Sequence, residues 1–294
     1  MKIMITGASG LLGRACAASF ADLNPVTCAW SRASKNNLKL DLTDSKAIRS
    51  AMERIKPGLI IHAAAERKPD ICETRQDLTL RLNVDATRTI ATFAAETGAK
   101  MIYISTDYVF DGSHPPYSVD AATNPLNYYG QTKRTGELAT HTASADHIVL
   151  RVPILYGEVE NLKESPVTLM LHKLLDPAPV AEDHWAVRFP TYVGDIAATL
   201  RNWLPTLDKA SGIYHFSGKE ALTKFEMLKI MGEVLHLSSE HLSANLEPPS
   251  GAPRPKNCQL DISRLAACTR LQQTPFRENI GRILKPFLKG SHYE

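Results

Sequence analysis

Tyr129 and Lys133 stand four places apart in the stretch NYYGQTK (Asn127–Lys133). On a helix, positions i and i+4 share a face, so Lys133 lies beside Tyr129 while Thr132 lies beside Tyr128. A free phenol titrates near ~10 and donates protons poorly at neutral pH. A neighbouring ammonium stabilises the phenolate and lowers that value, making Tyr129 a usable general acid. The spacing alone is common by chance and by itself favours an exposed helix pair; its position after the fourth strand changes that. Upstream, ISTDYVF (Ile104–Phe110) places Ser105 and Thr106 at the end of an apolar run. A hydroxyl there can orient a substrate carbonyl or simply cap the strand end. Hydroxyl, phenol and lysine together suit carbonyl–alcohol redox chemistry, which requires a hydride carrier.

The N-terminal stretch offers a place for one. KIMIT (Lys2–Thr6) runs into GASGLLG, with Gly7, Gly10 and Gly13 spaced G-x-x-G-x-x-G. Glycines allow an unusual turn, a close approach of pyrophosphate to the backbone, and tight helix–strand packing. The following helix start presents free N–H groups to phosphates, and Ser9 can add a hydroxyl. An NAD site often carries an acid about 20 residues after the glycines. Here Ser31 and Arg32 occupy that region, and a guanidinium matches a 2′-phosphate. The expected cofactor is therefore NADP rather than NAD, with Asp41 and Leu42 flanking the adenine.

These groups need a scaffold that brings strand ends together. Apolar runs at Val26–Trp30, Leu59–Ala63, Met101–Ser105 and His147–Val152 alternate with helical patterns at about Gly10–Ala21, Asp44–Ile55, Leu78–Thr97 and Tyr128–Thr142. Continuous apolar strands between helices predict an α/β, doubly wound parallel sheet, a Rossmann fold. Asn83 falls inside the long third helix, where it is unfavourable. It reads either as a surface polar position or as a helix distortion that holds a water. After Arg151 prolines multiply, predicting a smaller C-terminal substrate domain. The expected division is 1–150 for the NADP-binding domain, with 191–212 returning to it, and 151–294 for the substrate domain. Helices are expected at Tyr192–Leu204, Thr223–Leu237 with Thr223 as N-cap, and Arg277–Phe287.

At 294 residues, with 44% hydrophobic and 22% charged content, the chain can bury a sizeable core. A net charge of +3 without a dense basic run argues against nucleic acid. Five scattered cysteines suit a reducing compartment. The N-terminus enters the glycine turn directly, and no apolar stretch has membrane-spanning length. The expectation is a soluble cytoplasmic protein without a metal site.

GASGLLG, HAAAERKPD (His62–Asp70), LNVDAT (Leu82–Thr87), STDYVFDG (Ser105–Gly112), NPLNYYGQTK (Asn124–Lys133), LRVPILYG (Leu150–Gly157) and RPKNCQLD (Arg254–Asp261) resemble the extended short-chain dehydrogenase/reductases. Within them the chain resembles the dTDP-4-dehydrorhamnose reductase family. That resemblance implies Thr106, Tyr129 and Lys133 as the catalytic set, with Asn83 as a helix-bending auxiliary. It implies an NADP site lined by Ser9, Gly10, Leu11, Leu12, Trp30, Ser31, Arg32, Asp41, Leu42, Ala63, Ala64, Arg67 and Leu155. It also implies that Asp107, Arg151, His184, Arg188 and Arg254 face a nucleotide-sugar substrate. The implied reaction is NADPH-dependent reduction of a nucleotide-linked 4-keto-6-deoxy sugar. PILYGEVE (Pro153–Glu160) and DHWAVRFPT (Asp183–Thr191) are similar to the branch containing the regulatory beta subunit of methionine adenosyltransferase. Ile154 stands where reductases of the family usually carry a tryptophan. The alternative implied by that branch is an NADP-binding regulatory subunit with methionine adenosyltransferase as partner; a homodimer is left open.

Overall fold

A computed structural model describes residues 1–29 and 37–288. In chain order the elements are β1 (Ile3–Thr6), α1 (Leu11–Ser19), β2 (Val26–Ala29), β3 (Leu38–Lys39), α2 (Ser45–Ile55), β4 (Leu59–His62), α3 (Pro69–Thr74), α4 (Gln76–Leu80) and α5 (Ala86–Thr97). There follow β5 (Lys100–Thr106), α6 (Tyr128–Ala143), β6 (Ile148–Val152), β7 (Leu155–Tyr156), α7 (Leu171–Leu175), β8 (Val180–Asp183) and β9 (Thr191–Tyr192). The rest are α8 (Val193–Trp203), β10 (Gly212–His215), α9 (Lys224–Leu235), β11 (Leu242–Asn245), α10 (Ser263–Ala266) and α11 (Phe276–Leu284).

Seven strands form a parallel sheet in the order β10-β6-β5-β4-β1-β2-β3. This is the doubly wound Rossmann arrangement that the alternating pattern predicts. The period of two along each strand sends alternate residues to opposite faces. Ile3, Ile5, Leu59, Ile61, Ile102 and Ile104 pack with Leu12 and Cys16 of α1 and Ile196 and Leu200 of α8. Met4, Ile60, Met101 and Val149 point the other way, toward Ile48 and Met52 of α2 and Ile90 and Phe93 of α5. Both faces are therefore dry, which is why these strands read as unbroken apolar runs.

β10 is a strand that the sequence pattern does not reveal, because GIYH is short and only half apolar. It pairs with β6, with Ile213 opposite Val149. The chain thus leaves the sheet after β6, returns through α8 and β10, and leaves again. A second lobe gathers around Leu171, Leu174, Met227, Leu228, Met231, Phe276, Ile280 and Leu284. The Thr223 cap of α9 is present as a full capping box with Glu226. The expected helix over 78–97 is interrupted: α4 and α5 are joined by a wider π-type turn at Arg81–Asp85.

Candidate functional site

The glycine turn is shaped by close approaches. Gly7 has φ +70°, a region L side chains rarely adopt, and a Cβ there would lie 2.7 Å from the Ala64 nitrogen. A Cβ on Gly13 would lie 2.2 Å from the Gly7 carbonyl oxygen. The turn can therefore fold only with hydrogen at both positions. α1 begins at Leu11, and its Gly10 cap supplies no side-chain acceptor, so the first N–H groups remain open toward a cavity of about 470 Å³.

Of the expected cofactor residues, Gly7, Ser9, Gly10, Leu11, Leu12, Gly13, Leu42, Ala63, Ala64, Arg67, Tyr129, Lys133 and Leu155 line this cavity. Trp30, Ser31 and Arg32 lie outside the described residues. Asp41 does not line it; its carboxylate accepts from the Thr43 backbone and hydroxyl, both at 2.7 Å, and forms a local turn. The Arg67 guanidinium donates to the Glu164 carbonyl, and the Glu164 carboxylate pairs with Arg14 on α1. Glu164 lines the cavity too, a contribution from the second lobe that no motif signals.

Thr106 ends β5, and its hydroxyl accepts from the Tyr108 N–H at 3.2 Å and donates to Asp107 at 3.1 Å. Asn127 caps α6 by accepting from the Gly130 N–H at 2.9 Å, which fixes the start of the helix carrying Tyr129 and Lys133. Burial holds the Tyr129 phenol well above its usual value, and a hydrogen bond with the Thr106 side chain opposes that rise. The Lys133 side chain, four places on, reaches the end of β5. It donates to the Ile104 carbonyl at 2.7 Å and sits 4.0 Å from the centre of the Tyr103 ring. Burial pushes Lys133 down to about 7, with the Glu137 carboxylate opposing the fall.

Asn83 sits inside the π-type turn, so the distortion expected there is present. Its side chain is fully buried and spent on protein groups: it accepts from the Glu66 N–H at 2.8 Å and donates to the Glu66 carbonyl at 3.0 Å and Thr132 at 3.2 Å. It does not line the cavity and acts as a positioning residue between the Glu66 loop and α6. Thr87 donates to the Asn83 carbonyl at 2.8 Å, and His62 bridges Thr87 and Thr6 at 3.0 and 2.6 Å. Burial, followed by the nearby Lys133 charge, lowers His62 to about 3, so this chain carries a neutral ring.

The expected substrate residues divide. Asp107, Arg188 and Arg254 line the cavity. Burial raises the Asp107 carboxyl to about 7, against the Arg188 charge and the Thr106 hydrogen bond. Arg188 donates to the Pro255 carbonyl at 2.9 Å, and Arg254 pairs with Asp70 at 2.6 Å. Arg151 does not face the cavity. It lies inside the fold and meets Glu137 through Nε and Nη2, both at 2.8 Å, because β6 is covered on both faces and its charge needs an internal partner. His184 is also absent from the wall; its Nδ1 lies 2.8 Å from the Thr223 hydroxyl and its ring packs on Phe225. Besides Glu164, the polar cavity residues Tyr108 and Lys224 were unforeseen. Lys224 follows the Thr223 cap and reads, in sequence, as an ordinary helix start. Among the described residues no cluster of three or more His, Cys, Asp or Glu could hold a metal ion.

A sheet of this order with a hydroxyl–Tyr–Lys set at its carboxyl edge defines an extended short-chain dehydrogenase/reductase fold. The profile described as RmlD substrate binding domain matches residues 1–289, and the chain belongs to that family. Methionine adenosyltransferase 2 subunit beta of Bos taurus is 45% identical, over 98% of this chain and 88% of that protein. A dTDP-4-keto-6-deoxy-D-glucose reductase of Streptomyces niveus is 30% identical, over 79% of this chain and 78% of that one. Among solved structures, the dTDP-4-dehydrorhamnose reductase of Bacillus anthracis in complex with NADP superposes with a TM-score of 0.85 at 26% identity, over 97% of this chain and all of that one.

Proposed function

We propose that the chain binds NADP(H) and reduces a keto group, with the 4-keto group of a nucleotide-linked 6-deoxy sugar as substrate. The observation that carries this reading is the convergence of Thr106, Tyr129 and Lys133 on the cavity into which the glycine turn opens. The turn fits a dinucleotide: its two crowded glycines leave room for a pyrophosphate against backbone N–H groups. NADPH, when bound, supplies the hydride. Thr106 orients the ketone, Tyr129 donates the proton to the developing alkoxide, and Lys133 holds the nicotinamide end and lowers the barrier to losing the phenolic proton. Residues 1–150 with 191–212 hold the cofactor, and the remainder of 151–294 holds the substrate. Arg32, with no acid beside it in sequence, favours NADP over NAD.

The test is NADPH oxidation with a dTDP-4-keto-6-deoxy sugar, comparing the protein with Tyr129→Phe. Turnover no faster than the variant's would end the reductase reading. A second reading rests on the 45% identity across almost the whole chain: an NADP-carrying regulatory subunit docked on methionine adenosyltransferase. Co-purification with that enzyme and altered kinetics would support it, and neither effect would exclude it. Four buried free thiols suit a cytoplasmic home for either role. No helix among the described residues is long and apolar enough to cross a membrane.

A further inference from the structure

Glu164 belongs to a short turn of the second lobe whose backbone is firmly set. The Ser165 hydroxyl donates to the Leu155 carbonyl at 2.8 Å, Thr168 donates to the Leu162 carbonyl at 2.9 Å, and the Leu162 side chain is buried in the core of that lobe. From this footing Glu164 grips two arginines of the sheet domain. Its carboxylate pairs with Arg14, and its carbonyl accepts from Arg67. Arg14 is in turn fixed to the glycine turn, donating to the Ser9 carbonyl at 2.6 Å.

The two arginines approach the glycine turn from different elements. Arg14 lies one helical turn beyond Gly10 on α1, where its backbone N–H donates to the Gly10 carbonyl at 3.0 Å. Arg67 follows β4, and the chain leaving that strand lies against the turn: a Cβ on Gly7 would be 2.7 Å from Ala64 and 2.9 Å from Ala63. Glu164 therefore joins α1 to the loop after β4, the two elements that meet at the turn on which a pyrophosphate would rest. Arg67 and Glu164 both border the cavity there, with Leu155 and Pro166. The Arg14 and Glu164 side chains are 25% and 20% exposed. A pair so placed keeps some strength against solvent, yet it opens by side-chain rotation without disturbing a core.

We propose that Arg14, Glu164 and Arg67 form an ionic clasp over the dinucleotide that governs how fast the cofactor enters and leaves. This rests on the NADP reading of the cavity. The cofactor passes only while the clasp is open, so entry and exit are slowed by the same factor and affinity is left nearly unchanged. A reductase must exchange NADP for NADPH in every turnover, so the clasp stands in series with the chemistry. The backbone under Glu164 stays in place throughout, and the moving parts are the side chains alone.

The experiment follows NADPH fluorescence by stopped flow, reading entry on mixing and exit on displacement by excess NADP. In Glu164→Gln both rates should rise by about 3- to 10-fold, the factor between a charge-assisted and a neutral hydrogen bond, with Kd within about twofold of the parent's. Arg14→Met should do the same, and the double variant should be no faster than either single one. Circular dichroism checks the fold. Glu164→Gln leaves the Leu162 and Ser165 anchors in place, so it tests the clasp even if Arg14→Met unfolds. Unchanged rates in Glu164→Gln overturn the proposal, as do additive effects in a folded double variant. Faster exit with unchanged entry makes Glu164 an ordinary contact of the bound cofactor and overturns it too. Slower exit with tighter binding means that Glu164 competes with phosphate for the arginines, and likewise rejects the clasp. A parent protein that binds no NADPH would instead overturn the cofactor reading.

Discussion

The Lys133 ammonium donates to the carbonyl of Ile104 at 2.7 Å, so α6 is tied to the strand that ends in Thr106. The lysine anchors α6 to β5 at the place where phenol and hydroxyl must meet. Burial brings it down to about 7, and the cation is the form present below that value. NADPH-linked kcat/KM should therefore fall as pH rises through about 7, and Lys133→Met should be slow across the range. A flat profile in the parent protein would mean that the ammonium is not needed.

Tyr129→Phe removes only the phenolic oxygen. It should lower kcat by about 10²- to 10⁴-fold, the usual contribution of a positioned proton donor. NADP affinity, read by nucleotide fluorescence, should change little. A comparable loss of cofactor affinity would make Tyr129 a binding rather than a proton-donating group.

Gly13→Ala would set a methyl carbon 2.2 Å from the Gly7 carbonyl oxygen. Relief requires α1 to move from β1, at a cost of roughly 1–3 kcal/mol for overpacking. The measurable outcome is a lower urea midpoint together with NADP affinity at least about tenfold weaker, since the turn itself must deform. Normal NADP binding would show that the turn does not hold the pyrophosphate.

Glu137 and Arg151 form an ion pair inside the fold, 0% and 1% exposed at their side chains. Burial alone would raise Glu137, but the Arg151 hydrogen bond and charge, followed by Ser105, bring it below its usual value. Arg151→Met should cost about 3–5 kcal/mol by removing the buried cation and leaving the carboxylate only the half-buried Arg134 at 3.0 Å and the Ser105 hydroxyl. The double variant Glu137→Gln/Arg151→Met should recover part of this, measured by urea unfolding. No difference between single and double variants would contradict a coupled pair.

Asp107 offers a pH test of opposite sign to Glu137. Its folded value, raised to about 7 mainly by burial, exceeds the ordinary 3.8. The folded state therefore keeps a proton that the unfolded chain has lost. The stability from that proton is complete below 3.8 and is lost as pH rises to about 7. Asp107→Asn should show no such loss, so its advantage over the parent should grow from pH 4 to pH 7 and then level off. A constant difference across that window would reject the raised value.

Much of this molecule was legible in its sequence for a physical reason. A parallel sheet covered on both sides leaves unbroken apolar runs, and a dinucleotide turn leaves fixed glycines. Tyr129, Thr106 and the cavity glycines follow from those patterns. Arg151 did not, because in a strand buried on both faces the period of two cannot say which face holds a partner. Glu137, its partner, lies on a different element. His184 and Asp41 were placed by segment, and each is drawn aside by a local hydrogen bond, to Thr223 and Thr43. Lys224 was hidden by its position after a good cap, where helix-start residues are common. The acceptor of Lys133 was hidden too, since sharing a helix face does not decide which acceptor a long side chain reaches.

The pairing of β10 with β6 has a consequence for exchanging specificity between relatives. A chimera joined once after residue 150 would bring in a foreign β10 and α8 along with the new pocket. The edge of β6 and the face of α1 would then meet side chains selected against another sheet, and an ill-fitting edge invites aggregation. Donor sequence has to enter as two insertions, within 153–190 and 216–288, around a retained middle. The second lobe of this chain is thus a pair of interruptions in one sheet rather than a module added to its end.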